Sequence, residues 1–412
     1  MDGFLTVGHP AAVAAVHAML SSHVPHAILL SGPASVGKRS LALDLAAGLL
    51  CSGAVGGARP CRACRGCRMV VSGNHPDVHR LEPEGPGGQV GIGGKDGKRG
   101  VRDLVTELSL LPVEGVARVA IILDAHRMND DAQSALLKTL EEPPAGTTLI
   151  LCADDEERLL PTVRSRCARV RLGTVNVRDV EALLAARELA DPPTSARLAR
   201  LAGGRPGLAV AYAAAPEAEA IRNELARTLV DLLSAGRSTR LLAARDLVVR
   251  AGALASLLAP YAPQAAPAPR GGRPRARGVS PASPLESSAA SPGATVAAPE
   301  SAPDGDGDSA VADEPVAKAS AAERRRALGL LLEAWRDVAR DVALAQAGSP
   351  RGVRDVALME ELDAAASDLP PGAAAEALGR LVRAAELVDS NVSPELVLDV
   401  LLVRWPRRRS AA

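Results

Sequence analysis

The run AILL at residues 27–30, followed by SGPASVGK at 31–38 and a helix-forming stretch from about Arg39 to Leu50, constrains this chain more than any other feature. An apolar strand feeding a glycine-bearing turn that opens a helix is the order of a phosphate-binding loop, which belongs to an α/β sheet architecture. Gly32 and Gly37 let backbone amides turn inward around phosphate oxygens, the helix start adds its dipole, and Lys38 supplies a point charge to the outer phosphates. The next position should carry the hydroxyl that holds magnesium, yet Arg39 stands there. Ser40 comes one residue late and lies about 100° further round the helix. Weak ATP binding through Lys38 is one expectation; a bare strand-to-helix turn is the other.

A second apolar run, VAIIL at 119–123, ends in Asp124, which matches the acidic residue placed near magnesium at the carboxyl end of a strand. A strand-ending carboxylate is the simpler alternative. Its neighbour is Ala125, where hydrolysis needs a carboxylate to polarise the attacking water, and a methyl group accepts no proton. Residues 129–144 (NDDAQSALLKTLEEPP) read as a capped amphipathic helix halted by two prolines, with a strand at 148–152 behind it.

The run ALLKTLEEPP at 135–144, that strand, and Ser165-Arg166-Cys167 resemble the bacterial clamp-loader family of DNA polymerase III, which is of the AAA+ type. The departures at Arg39 and Ala125 are similar to its non-hydrolysing member rather than to its ATP-hydrolysing gamma/tau subunit. The resemblance implies an α/β P-loop AAA+ domain with an inserted zinc module, then a small helical lid and an all-α collar domain. It also implies that Arg166 is a finger acting in trans on ATP held by a neighbouring subunit, a role worth roughly 10³ to 10⁵ in rate. Read without it, Arg166 is a surface arginine clustered with Arg164, Arg169 and Arg171. Two sensor positions are altered as well: the strand runs into Leu151-Cys152-Ala153-Asp154, and Gly207 stands about where a lid arginine belongs. The implied partners are gamma/tau and delta subunits, with the sliding clamp and primed DNA met through the assembly. No ATPase activity is expected of the chain alone. The competing expectations are an active gamma/tau-like ATPase and a zinc-stabilised DNA-binding protein.

Cys51, Cys61, Cys64 and Cys67 form a C-x9-C-x2-C-x2-C set, and C-x2-C spacing lets two thiolates from one tight turn reach a single tetrahedral Zn²⁺. Arg59, Arg62, Arg65 and Arg68 are interleaved with them and are expected to offset thiolate charge and lower the thiol pKa values. An iron–sulfur cluster is the rival, with no Cys-Pro to support it. Four sulfur ligands leave no open position, so the site reads as structural. The module precedes Gly73-Asn74-His75-Pro76-Asp77, as in the family; His75 is read as a loop residue rather than a ligand, and Cys152 and Cys167 as small core residues.

With 412 residues, 47% of them apolar, the chain has room for several cores, but only 1% are aromatic, so Ala, Leu and Val must do the packing. There is little to stack single-stranded bases on. Lysine and arginine number 48, matching 48 acidic residues, which argues against a free-standing binder driven by phosphate contacts. No apolar run is long enough for a membrane span, and no signal peptide is evident; a cytoplasmic protein is expected. The expected division is 1–173 for the sheet domain with its cysteine module at 51–67, 174–215 for the lid, and 216–406 for the collar. Residues 262–320, rich in Pro, Ala, Gly and Ser, interrupt the collar as a disordered linker by composition.

Overall fold

Five parallel strands form one sheet: β1 (Ala27–Ser31), β2 (Val78–Leu81), β3 (Arg118–Ile122), β4 (Thr147–Ala153) and β5 (Ala168–Arg171), in the spatial order β2-β3-β4-β1-β5. The computed structural model describes residues 3–53, 59–83, 88–93, 99–114, 117–258, 320–349, 352–390 and 392–408. The expected linker at 262–320 lies outside them except for Ser320.

The three central strands are buried at every position and mostly apolar because helices cover both faces of a parallel sheet. Successive side chains alternate between those faces. Ile28, Leu30, Ile121 and Ile150 pack on one side with Val13 and Val16 of α1 (Pro10–Ser21) and Leu41 and Leu45 of α2 (Lys38–Leu49). On the same side lie Cys67 and Val70 of α3 (Arg65–Ser72). Leu29, Ile122, Leu149 and Leu151 pack on the other, with Leu104 and Leu108 of α4 (Val101–Leu108), Leu136 and Leu140 of α5 (Asp130–Glu141), and Val163 of α6 (Pro161–Arg164). Asn129 caps α5 as its position before the periodic run predicts, its side chain accepting from Ala132 N at 2.9 Å.

Beyond β5 the chain is helical: α7 (Val177–Ala186), α8 (Pro192–Leu201), α9 (Pro206–Ala214), α10 (Pro216–Asp231), α11 (Arg237–Leu258), α12 (Ala321–Gln346), α13 (Met359–Asp368), α14 (Ala373–Asp389) and α15 (Pro394–Val403). These helices share one apolar core that runs from Val175 to Trp405. Leu225, Leu229, Leu232 and Leu233 are buried in it together with Leu328, Leu331, Leu332 and Trp335. With so few aromatics, the Trp335–Trp405 pair at 5.9 Å between ring centroids is a main anchor, and Trp335 donates to the Leu225 carbonyl at 3.0 Å. The helical path breaks between α10 and α11. There Arg240, 1% exposed, turns back to donate to Leu232 O at 2.9 Å and Pro406 O at 2.8 Å. It satisfies carbonyls at two helix ends that would otherwise be buried without donors.

Candidate functional site

The carboxyl edge of the sheet gathers the chemistry, because in open α/β sheets the turns after the strands converge there. Lys38 follows β1, Asp124 follows β3, and Asp154 follows β4, which lies between those two strands. Gly32 has φ +147°, and a Cβ there would sit 1.9 Å from the Leu172 carbonyl; Gly37 has φ +116°. Both positions need glycine's freedom, and the loop takes the shape its sequence predicts.

Lys38 is buried, and its ammonium donates to the carbonyls of Gly32 and Pro33, each at 2.6 Å, and pairs with Asp154 Oδ1 at 2.6 Å. Arg39 pairs with Glu82 at 3.3 Å, while Ser40 is exposed. Asp124, His126 and Asp154 each bring one ligand atom within 4.8 Å of the others. The Asp154 amide donates to His126 Nδ1 at 3.1 Å, which leaves the ring proton on Nε2. Burial, then the neighbouring Asp154 carboxylate, pushes the Asp124 pKa above its ordinary value. Burial pulls that of His126 below its ordinary value, against the opposing pull of Asp154 and Asp124. Ala125 is fully buried against the sheet. Neither the pairing of Asp154 with Lys38 nor the part of His126 is apparent from spacing; Asp154 is the first polar residue after β4, and His126 lies two residues past Asp124.

The helical half touches this loop directly. The Gly207 amide, at the start of α9, donates to Ser35 O at 2.9 Å, and a Cβ on Gly207 would lie 3.1 Å from that oxygen. Two residues earlier, Arg205 reaches into α12, bonding Glu333 at 3.1 Å and Asp337 at 3.3 Å.

Arg166 is held elsewhere. Its guanidinium donates to Thr162 O at 3.0 Å and pairs with Glu141 at 2.5 Å, with 35% of the side chain exposed. Arg164 pairs with Glu157 and Arg171 with Glu156, so this is a mixed-sign surface rather than the bare basic cluster that the arginines alone suggest.

The four sulfurs of Cys51, Cys61, Cys64 and Cys67 lie within 4.8 Å of one another, and none is in a disulfide. That is close enough to hold one metal ion. Cys64 caps α3, accepting from Cys67 N at 3.4 Å, and Cys61 accepts from Cys64 N at 3.4 Å. The expected arginine effect on the thiols takes a different form. Arg62 bonds Asp44 and Gly3 O, and Arg65 pairs with Glu114 at 2.9 Å. Backbone amides act on the thiols instead: those of Cys64 and Ala63 lower the Cys61 pKa. Burial alone would raise that of Cys64, but donors from Cys67 and Ser52 bring it down to about 6. Burial pushes Cys67 up to about 12. His75 is buried with Nδ1 accepting from Asp77 N at 3.2 Å, and it is not among the clustered ligands. Cys152 and Cys167 are buried core residues, with burial raising their pKa to about 12 and about 11.

Residues 8–176 match the family described as DNA polymerase III, delta subunit. This span holds the phosphate loop, the cysteine cluster and Arg166. The chain is 40% identical over 184 residues to DNA polymerase III subunit delta' of Pseudomonas aeruginosa, covering 44% of this chain and 53% of that one. Over this stretch the chain is similar to DNA polymerase III subunit delta'. Over 173 residues it is 35% identical to the Bacillus subtilis delta' subunit, covering 42% of this chain and 49% of the relative. Against DNA polymerase III subunit tau of Escherichia coli the identity is 32% over 186 residues, covering 44% and 27%. The chain spans about half the length of the delta' relatives it matches. Among the described residues no helix is long and apolar enough to cross a membrane.

Proposed function

We propose that this chain is a non-hydrolysing accessory subunit of a DNA polymerase III clamp loader, in which it holds ring geometry and presents Arg166 to ATP bound by a neighbouring subunit. The carrying observation is the pairing of Lys38 with Asp154 beside Arg39 and Ala125, in a chain that retains Arg166 on its surface. The lysine that would hold outer phosphates is occupied, the magnesium hydroxyl and the basic carboxylate are missing, and the arginine that acts outside its own site is kept.

In this reading residues 1–173 are the AAA+ domain, 174–215 the lid and 216–406 the collar through which subunits assemble. Gamma/tau and delta subunits are the partners, and the sliding clamp and primed DNA are met through the assembly. Cys51, Cys61, Cys64 and Cys67 hold one structural Zn²⁺, a closed S4 site that takes no part in chemistry. Support comes from sulfurs clustered within 4.8 Å with no disulfide among them.

The experiment mixes the purified chain with gamma/tau and delta subunits and measures clamp loading onto primed DNA with each component omitted in turn. Loading should require this chain, and this chain should consume no ATP by itself. Undiminished loading in its absence would overturn the proposal.

A further inference from the structure

We infer that Asp154 decides what this phosphate loop admits: its carboxylate holds the position on Lys38 that a phosphate oxygen would otherwise take. A lysine ammonium has three N–H groups. Those of Lys38 meet Gly32 O, Pro33 O and Asp154 Oδ1, each at 2.6 Å. Two of these acceptors belong to the loop and fold the side chain over it. The third arrives from the end of β4, whose register beside β1 pairs Ser31 with Ala153 and so sets the next residue beside the loop.

Burial makes the contact strong, because Lys38 is only 7% exposed and its charge is poorly screened by water. An incoming polyphosphate meets a carboxylate already in place, with Asp124 a few ångströms away in the same cluster. The backbone of Asp154 is held as well, by its amide's bond to His126. The loop needs no anion to keep its shape. His9 Nε2 bonds Val36 O at 2.8 Å, and the Gly207 amide bonds Ser35 O at 2.9 Å. Binding of a polyphosphate therefore requires Asp154 to withdraw first, and the apparent affinity falls by the fraction of molecules in which it has done so. The inference concerns this loop alone and stands whether or not the chain works in a clamp loader.

The test is calorimetric binding of ATP and of inorganic tripolyphosphate to the full-length chain, in magnesium-free buffer without chelator so that the cysteine cluster is undisturbed. The chain as it is should give no saturable binding up to millimolar ligand. Asp154→Asn removes the charge and keeps the shape, and it should bind both ligands at least about tenfold more tightly. Adding Lys38→Met to that variant should abolish the gain. Asp154→Ser provides a second variant, and unfolding temperatures confirm that each is folded. The inference is overturned if either folded variant binds no better than the parent, if the gain survives loss of Lys38, or if the parent already binds as tightly as Asp154→Asn.

Discussion

Asp44 is fully buried on α2 and accepts from Leu5 N at 3.1 Å, Thr6 N at 2.9 Å and Thr6 Oγ1 at 2.6 Å, and it pairs with Arg62 of the cysteine module. One carboxylate thus ties the N-terminal segment and the module to the helix that follows the phosphate loop. Asp44→Ala leaves the guanidinium and the amides without their acceptor, and it should cost about 3 to 5 kcal/mol, measured as a loss in denaturant-unfolding free energy. A cost near zero would mean that these groups find other partners. Glu107 titrates in a simpler setting. Burial alone would raise its pKa, but His79 at 2.8 Å and Arg99 at 2.5 Å outweigh that and hold it below the ordinary carboxylate range. A depressed carboxylate stabilises fully above its unfolded value and loses the contribution as pH falls through the folded one. Stability of Glu107→Gln should therefore fall less steeply than that of the parent below about pH 4.5, in unfolding curves taken across that range. At this scale the sequence was only partly legible. Lys38, Asp124 and the four cysteines announce themselves by spacing, whereas Asp154 meets Lys38 only because β4 is inserted next to β1, and no local pattern encodes a strand order.

The elements follow the same physics. β1, β3 and β4 are covered on both faces and flanked on both sides, so their apolar runs are continuous and visible in the sequence. β2 and β5 lie at the sheet's two edges, where water tolerates the charges in VHRL and ARVR, and that polarity hides them among loops. The break between α10 and α11 falls at Ser234-Ala235-Gly236, where the serine and glycine weaken the helix and mark it in the sequence. Arg408, near the end of the described residues, pairs with Asp368 at 3.1 Å and donates its amide to Leu233. In the proposed reading the cysteine module gains stability from a bound metal, which would contribute on the order of 10 kcal/mol to folding of so small a unit. Elemental analysis should find one zinc per chain, and none in Cys64→Ser; chelation should open residues 51–67 to proteolysis while the helical half stays protected. A zinc-free chain that resists proteolysis equally well would contradict the assignment.

At the scale of the whole molecule, the phosphate loop is joined to the helical half by an unbroken series of contacts. Ser35 meets Gly207, Arg205 meets Glu333 and Asp337 on α12, and Arg354 braces Asp337 at 3.1 Å from beyond that helix. A second tie joins Arg158 to Asp389 of α14 at 2.7 Å. A loop tied in this way suits the proposed role, in which the chain keeps its shape while neighbours bind and release nucleotide. Arg166 stands apart from these contacts, on the surface beside Glu141. The most direct measurement is steady-state ATP turnover by the reconstituted gamma/tau–delta assembly containing either the parent chain or Arg166→Ala, with the isolated chain as reference. The account predicts that the isolated chain turns over no ATP, that the variant still assembles, and that turnover at the adjacent site falls by roughly 10³-fold or more. Brisk hydrolysis by the isolated chain, or equal turnover by the two assemblies, would contradict it.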